Sequence, residues 1–463
     1  MNRTTTPLKH GLSALFIAAA LAGCAIGPDY ARPKLDIPAG FKEDGRWKTA
    51  EPQDAMPRGD WWTVFQDPTL NRLMDTLNQQ SPTIAQAEAQ YRAAQAQLRQ
   101  AQAGLFPSLS ANASQSHGAS TPGAGASTSY NLGLSASWEV DLWGAVRREV
   151  EAGKAKQQAS EAQLAAIRLS SQAQLATAYL QLVVADRQLA NLRDSEKALG
   201  EALQLTRNQF AAGIVGDEAV ASAESQWHAA QAATVDKRLT RAQLEHAIAA
   251  QLGQAPASFS LPPATQTPHL PQIPAGLPSA LLERRPDVAA AERNMAAANA
   301  QIGIAKAAFF PTLTLGASGG YRGSSFADWV TLPNRISSIG PSLALTLFDA
   351  GLRRAQTDQA IAGYDASVAS YRQTVLAALQ GVEDNLSAQS LLKEESGMQT
   401  AALAAAKRAE TIAMNQYQAG TVAYLNVLSA QNARIAAENN LWAVVNRQYT
   451  GSVALIAALG GHW

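Results

Sequence analysis

The side chains that could carry chemistry are few in this 463-residue chain, and they are poorly grouped. Six histidines, His10, His117, His228, His246, His269 and His462, are scattered, and no pair stands at metal-ligand spacing with a carboxylate. No Ser/His/Asp set can be singled out among so many serines. The Gly-rich stretch 118–125 lacks the strand-to-helix context that a phosphate cradle needs. The single cysteine, Cys24, can form neither an internal disulfide nor a zinc cluster. The expectation is therefore a non-enzyme without a metal or a dissociable cofactor. What remains is the thiol of Cys24, as a site of modification, and the acidic pair Asp217 and Glu218, whose role depends on the elements that carry it.

The residues before Cys24 give its thiol a use. Arg3 and Lys9 precede an apolar run from Leu12 to Leu21, too short to span a bilayer, which ends in Leu21-Ala22-Gly23-Cys24. A basic start, a short apolar core and small residues before a cut point make a secretory signal over 1–23. A cysteine directly after Leu-Ala-Gly resembles a bacterial lipobox, in which the thiol is acylated and becomes the first mature residue. The alternative is an ordinary signal peptide with an incidental cysteine. Ala25 stands where Asp would favour the inner membrane, so the outer membrane is expected. N-acyl and diacylglycerol chains on Cys24 would each bury CH₂ groups at about 0.8 kcal/mol and tether the N-terminus.

Composition removes other classes. Lysine plus arginine number 37 against 37 acids, so there is no basic footprint for nucleic acid. Charged residues make up only 16%, yet no stretch after residue 24 has the roughly 18 apolar residues of a membrane helix.

The chain repeats itself. Residues 82–114 align without gaps on 286–318; Arg147-Arg148 matches Arg353-Arg354; and Asn208-Gln209-Phe210-Ala211-Ala212-Gly213 matches Asn415-Gln416-Tyr417-Gln418-Ala419-Gly420. The offset drifts only from 204 to 207, which marks a tandem duplication. The expected divisions are a signal peptide 1–23, a lipid-anchored N-terminal segment 24–81, a first repeat 82–252, a Pro-rich linker 253–285 and a second repeat 286–460.

Each repeat opens with a helix, 82–103 or 286–307, stopped before Phe-Pro. Two strands follow, around 108–116 and 129–141 in the first copy. In the second of these, Tyr130, Leu132, Leu134, Ala136, Trp138 and Val140 alternate with small or polar neighbours. The second copy repeats the pattern, with Leu313, Leu315, Ala317 and Tyr321, then Ile339, Leu343, Leu345 and Leu347. A sustained period of two is the mark of a membrane β-barrel strand, and Tyr130, Trp138 and Tyr321 near strand ends suit an interfacial girdle. A soluble sandwich would alternate likewise, but only four such strands occur, flanked by helices. A proline-free helical pattern then runs from about Ala145 to Phe210, and from Arg353 to Tyr417 in the second copy. From Leu175 its seam reads Leu175, Ala178, Leu182, Ala185, Leu189, Leu192, Glu196, Leu199, Leu203, Thr206 and Phe210. Such a helix would be about 100 Å long and must pack along others. It turns back at Gly213 and Gly216, or at Gly420, so each copy sends a helical hairpin away from the strands.

Four strands cannot close a barrel, and open edges are not tolerated in lipid. Closure needs sister chains: two, three or four copies would give 8, 12 or 16 strands. Closing the strands would join the helices into a conduit.

At this point the chain resembles the TolC-like outer-membrane efflux factors of the NodT-type lipoprotein group. The carrying motifs are Cys24-Ala25-Ile26-Gly27-Pro28-Asp29-Tyr30 with Pro33, Trp61-Trp62-Thr63-Val64-Phe65-Gln66-Asp67-Pro68-Thr69-Leu70, Arg284-Arg285-Pro286-Asp287-Val288 and Phe309-Phe310-Pro311-Thr312-Leu313. The resemblance implies an α+β membrane protein: a homotrimer with a twelve-stranded β-barrel continued by an α-helical coiled-coil barrel. It also implies docking onto a periplasmic adaptor and an RND-type inner-membrane pump, and export of drugs or other amphiphiles. The family narrows its conduit at the periplasmic tips. Here the first tip offers Asp217 and Glu218. The second has Asn426 and Ser429 where some relatives carry Asp, with Tyr424, Leu425 and Leu428 as candidates for a constriction by bulk. The bland reading makes Asp217 an N-cap, Asn426 exposed surface and Leu428 core. Rival functions are a type I protein-secretion conduit and, from another class, a lipid-anchored periplasmic coiled-coil scaffold or the adaptor itself.

Overall fold

The computed structural model describes residues 25–33, 59–118, 126–264, 266–271 and 285–461. Cys24 and the signal segment lie outside the described residues, as do Arg284, residues 34–58, the first loop's 119–125 and 272–283 of the linker. Among the described residues the regular elements are α1 (Pro68–Gln80), α2 (Pro82–Ala103), β1 (Ser108–Gly118), β2 (Ser127–Val140), α3 (Ala145–Ala211) and α4 (Asp217–Gln251). They continue with α5 (Pro286–Ala307), β3 (Thr312–Gly323), β4 (Arg335–Ala344), α6 (Leu352–Gln418) and α7 (Tyr424–Ala458). The duplication is visible in element lengths: α2 and α5 have 22 residues each, α3 and α6 67, and α4 and α7 35. The helices are rich in Ala, Gln and Leu, strong helix formers, and proline appears only at first positions. No helix among the described residues is long and apolar enough to cross a membrane.

The chain divides into two compact units. One holds residues 90–161 and 290–373 with the N-terminal segment. Its centre is one antiparallel sheet of order β1-β2-β3-β4. The two hairpins come from different repeats, and β2 joins β3 with Tyr130 opposite Gly323 and Val140 opposite Leu313. β4 stops at Ala344, opposite Thr312, so the expected strand residues Leu345 and Leu347 lie outside it.

The other unit holds residues 59–89, 162–264, 266–271, 285–289 and 374–461 among those described. Nine of the eleven seam positions listed from Leu175 are buried, including Thr206, whose hydroxyl donates to Ala202 O at 2.9 Å. Glu196 is half-buried, and Phe210 is 46% exposed because α3 ends one residue later. The Trp61–Leu70 motif proves to be structural. Trp61, Trp62, Phe65 and Leu70 are buried with Met74 and Leu77 against Leu175, Leu180 and Leu182 of α3 and against Tyr449 and Leu455 of α7. Each such side chain contributes about 1.5–3 kcal/mol on burial. Asp67 caps α1, accepting from the N–H groups of Thr69 and Leu70 at 2.7 and 3.1 Å, and also accepts from the Tyr179 hydroxyl at 2.8 Å. That contact and burial hold the Tyr179 phenol protonated well above its usual range, burial being the larger cause. Asp186, with 2% of its side chain exposed, pairs with Arg241 at 2.6 Å and accepts from Ala264 N at 2.9 Å. Arg241 also donates to Leu261 O at 2.7 Å, so the start of the linker is pinned to α3 and α4.

Candidate functional site

The strand registers sort every side chain of the sheet onto one of two faces. One face carries Leu109, Ala111 and Ala113 of β1; Leu132, Leu134, Ala136 and Trp138 of β2; Leu313, Leu315 and Ala317 of β3; and Ile339, Pro341 and Leu343 of β4. It is apolar across all four strands over the half nearer the helices and turns polar toward the loops, where Gln115, His117, Ser337 and Arg335 lie on it. Ile339 is 88% exposed and Leu109 73%. The opposite face is mostly small and hydroxylated, with Glu139 near the helix end and Arg322 near the loops as its charged members. Ser110, Ser135, Ser318 and Ser338 stand in register as one row, with Oγ–Oγ contacts of 2.8 Å between the first two and between the last two. A sheet apolar on one side and wet on the other can separate hydrocarbon from water.

The end of the sheet nearest the helices is edged with aromatics. Trp138 Nε1 donates to Leu105 O at 3.1 Å, and Trp143 Nε1 to Pro311 O at 2.7 Å, with the Trp143 ring 4.9 Å from that of Phe310. Phe106 and Phe348 are 69% and 86% exposed. The Phe-Pro motif thus sets a ring in an amphipathic belt, and its proline carbonyl anchors the Trp143 indole. The N-terminal segment starts here. Ile26 N donates to Trp143 O at 3.0 Å, and Arg148 bonds Asp29 at 2.9 Å and Glu151 at 2.7 Å. Tyr30 donates to Glu292 at 2.6 Å, and Arg32 to the Tyr371 hydroxyl at 2.8 Å. Burial first, then the Glu292 carboxylate, raises the Tyr30 phenol far above its usual range. Residue 25 is therefore fixed beside the aromatic belt, which sequence alone did not reveal.

The hairpin tips lie in the second unit. Both close with the same C-cap. Gly213 and Gly420 have φ of +74° and +72°, a region costly for residues with a Cβ. Gly213 N donates to Phe210 O and Ile214 N to Gln209 O, both at 2.9 Å; Gly420 N and Thr421 N repeat this toward Tyr417 and Gln416. This is the Schellman arrangement. Gly216 differs: it is the N-cap of α4 at φ −82°, which any residue can adopt, and Ala423 does the same job in the second copy. Asp217 is thus the first helical residue and not the cap. Asp217 and Glu218 are both exposed in the first turn of α4, where the helix dipole favours acids. Asn426 and Ser429 are exposed, and Leu425 is 59% exposed. Leu428 is not available as a constriction. It is 4% exposed and packs with Leu199, Ala202, Trp227 and Tyr424, so it belongs to the tip's own core. Its position four residues after Tyr424 on α7 turns it inward, on the same face.

Contacts that the sequence did not single out stiffen the second tip and join it to the first: an aromatic pair within the second tip and two hydrogen bonds across. The Tyr417 and Tyr424 rings lie 4.9 Å apart, Gln209 Nε2 donates to the Tyr417 hydroxyl, and Asn432 Nδ2 donates to Gln226 Oε1 at 3.1 Å. Burial, and next the neighbouring Tyr417 phenol, push Tyr424 up to about 12. Ile214, 70% exposed, and Phe210 add apolar surface beside the acids. Their exposure follows from the turn geometry, which no seam pattern announces.

The geometry is that of known proteins. The sequence profile of the outer membrane efflux protein family matches residues 73–254 and 277–461, one match per repeat. The chain is 30% identical to the probable efflux pump outer membrane protein TtgC of Pseudomonas putida, over 98% of this chain and 96% of that one. It is 28% identical to the cation efflux system protein CusC of Escherichia coli, over 96% and 97%. Among solved structures, the outer-membrane channel OprN superposes with a TM-score of 0.85 at 31% identity, covering 95% of this chain and 100% of that one. A sheet with one lipid-compatible face, paired helical hairpins and matches over both repeats lead to one conclusion: the chain belongs to the outer membrane efflux protein family, the TolC-like outer-membrane components of tripartite pumps.

Proposed function

We propose that three copies share one wall, forming a twelve-stranded barrel whose helices continue it as a passive exit duct for drugs or other small amphiphiles. The observation that carries this is the sheet: one largely apolar face, and β1 and β4 each with an outer edge that no strand pairs among the described residues. Unpaired edges cannot stand in hydrocarbon, so sister chains must cover them. Relatives named for toluene and for cation efflux support the exporting role while differing in cargo, as expected if an inner-membrane RND-type pump selects it. The fixing of residue 25 beside the aromatic belt supports acylation of Cys24, with the lipid entering the same leaflet as the belt. The paired tips, with Asp217, Glu218, Leu425, Asn426 and Ser429 exposed, are the surface for gating and for the periplasmic adaptor. Tyr424 sits behind them as support.

Planar-bilayer conductance of the purified mature protein, with its mass measured in detergent, tests the reading. A trimer that conducts is expected. A monomer soluble without detergent sinks it. Replacing Asp217 and Glu218 by Ala should change conductance or divalent block; unchanged traces would remove these acids from the gate.

A further inference from the structure

The β3–β4 loop is folded, and it is folded toward the wrong side for a plug. Phe326 and Trp329 lie 5.5 and 5.9 Å from the ring of Tyr130, and 6.3 Å from each other in a stacked arrangement. Tyr130 belongs to the apolar face of β2, in line with Leu132 and Leu134. Gly323, opposite Tyr130 in the ladder, shows the direction independently: a Cβ there would stand 2.9 Å from both Cα and Cβ of Trp329. The loop therefore crosses the strand end onto the apolar face, through space that only glycine leaves open. Its shape is held from within. Thr331 Oγ1 and Asn334 Nδ2 donate to Asp328 O at 2.8 and 2.9 Å, and Ser325 Oγ donates to the Asp328 carboxylate at 3.3 Å. Yet it leaves Phe326 71%, Leu332 78% and Val330 51% exposed. Arg335, opposite Tyr321 on that same face, is exposed and makes no ion pair among the described residues.

We infer that this loop is a lipid shelf: Phe326, Val330 and Leu332 enter the outer margin of the hydrocarbon, and Arg335 holds the phosphate of an anionic headgroup. This rests on the barrel reading above and goes beyond it, since it assigns a lipid-binding surface and puts the loop outside the mouth. Aromatic rings and an arginine at one level of a barrel wall are the pairing that interfacial lipid favours. The surface is continuous with the apolar face of the sheet, which selects lipid over a soluble partner.

The test uses the mature, acylated protein in vesicles. Cys24 is the sole native cysteine, so Phe326→Cys provides a unique thiol for a nitroxide label. Leu134→Cys, mid-sheet on the apolar face, and Ser127→Cys, at the exposed start of β2, are the references. In phosphatidylcholine vesicles the Phe326 label should be shielded from a nickel chelate by roughly tenfold relative to the Ser127 label, and open to oxygen. In vesicles containing phosphatidylglycerol, native mass spectrometry should find that lipid retained in preference, and Arg335→Gln should cut the preference roughly fivefold. A Phe326 label as open to nickel as Ser127, with Leu134 still shielded, overturns the shelf and leaves the barrel standing. Nickel access at Leu134 as well overturns the barrel. Shielding of Phe326 from both probes would mean protein covers the loop, and equal retention of both lipids would remove the headgroup contact; either result overturns the proposal.

Discussion

Replacing Asp186 by Ala should free the start of the linker from the helices. Asp186 is almost fully buried, and its two oxygens serve different partners: Oδ1 accepts from Arg241 Nε at 2.6 Å, Oδ2 from Ala264 N at 2.9 Å. Removing one member of a buried ion pair costs about 3–5 kcal/mol. The lower end applies, because Arg241 keeps Glu245 at 3.0 Å and Leu261 O at 2.7 Å. About 3 kcal/mol at tenfold per 1.4 kcal/mol corresponds to roughly a hundredfold rise in the open population. Hydrogen exchange reads this directly, because the Ala264 amide is itself one of the lost bonds. The Ala264 amide should exchange roughly a hundredfold faster in Asp186→Ala. In Asp186→Asn, which keeps a neutral acceptor, the rise should be about tenfold. Proteolysis between 256 and 264 should follow the same order when opening is fast. Unchanged exchange at Ala264 in the alanine variant would refute the reasoning, since the bond would then contribute nothing to holding the linker.

Other expectations can be checked with single variants. Tyr449 is buried, donates to Pro268 O and is pushed up to about 12, mainly by burial and then by Asp67. A tyrosine raised in the fold stabilises it fully below its unfolded value of about 10, and the contribution falls away up to about 12. Absorbance at phenolate wavelengths should show a late alkaline step that Tyr449→Phe lacks, coinciding with loosening of the linker. Gly213→Ala should destabilise the first tip by about 1–2 kcal/mol, whereas Gly216→Ala should be nearly neutral; exchange of the tip amides separates the two. Leu428→Ala should cost about 2–5 kcal/mol in tip stability while leaving an open channel's conductance unaltered, as expected of a core residue.

The sequence was legible where one physical rule acted alone. Helices α2 and α5 begin and end where proline and the Phe-Pro stop put them, and the Leu175 seam is buried at nine of eleven positions because nothing competes with packing there. Alternation gave the strands, but β4 ends at Ala344, short of Leu345 and Leu347, because the end of a ladder is set by pairing with its neighbour and not by alternation in β4 itself. α1 carries little signal of its own: thirteen residues behind a proline-rich stretch show no long period, although Leu70, Leu73, Met74 and Leu77 line its buried face. At the tips, residue type misled. Leu428 has the bulk of a constriction, yet the turn of α7 directs it into the core, while Ile214, in no repeat pattern, is left outside.

The serine row has a consequence for traffic. Where Ser110, Ser135, Ser318 and Ser338 line up, the wall offers only short hydroxyls, already engaged with each other in pairs. Three copies would make a girdle of such groups, carrying no charge to hold or repel a passenger and no greasy ledge for it to stick to. At that level the wall neither grips nor sorts what passes it.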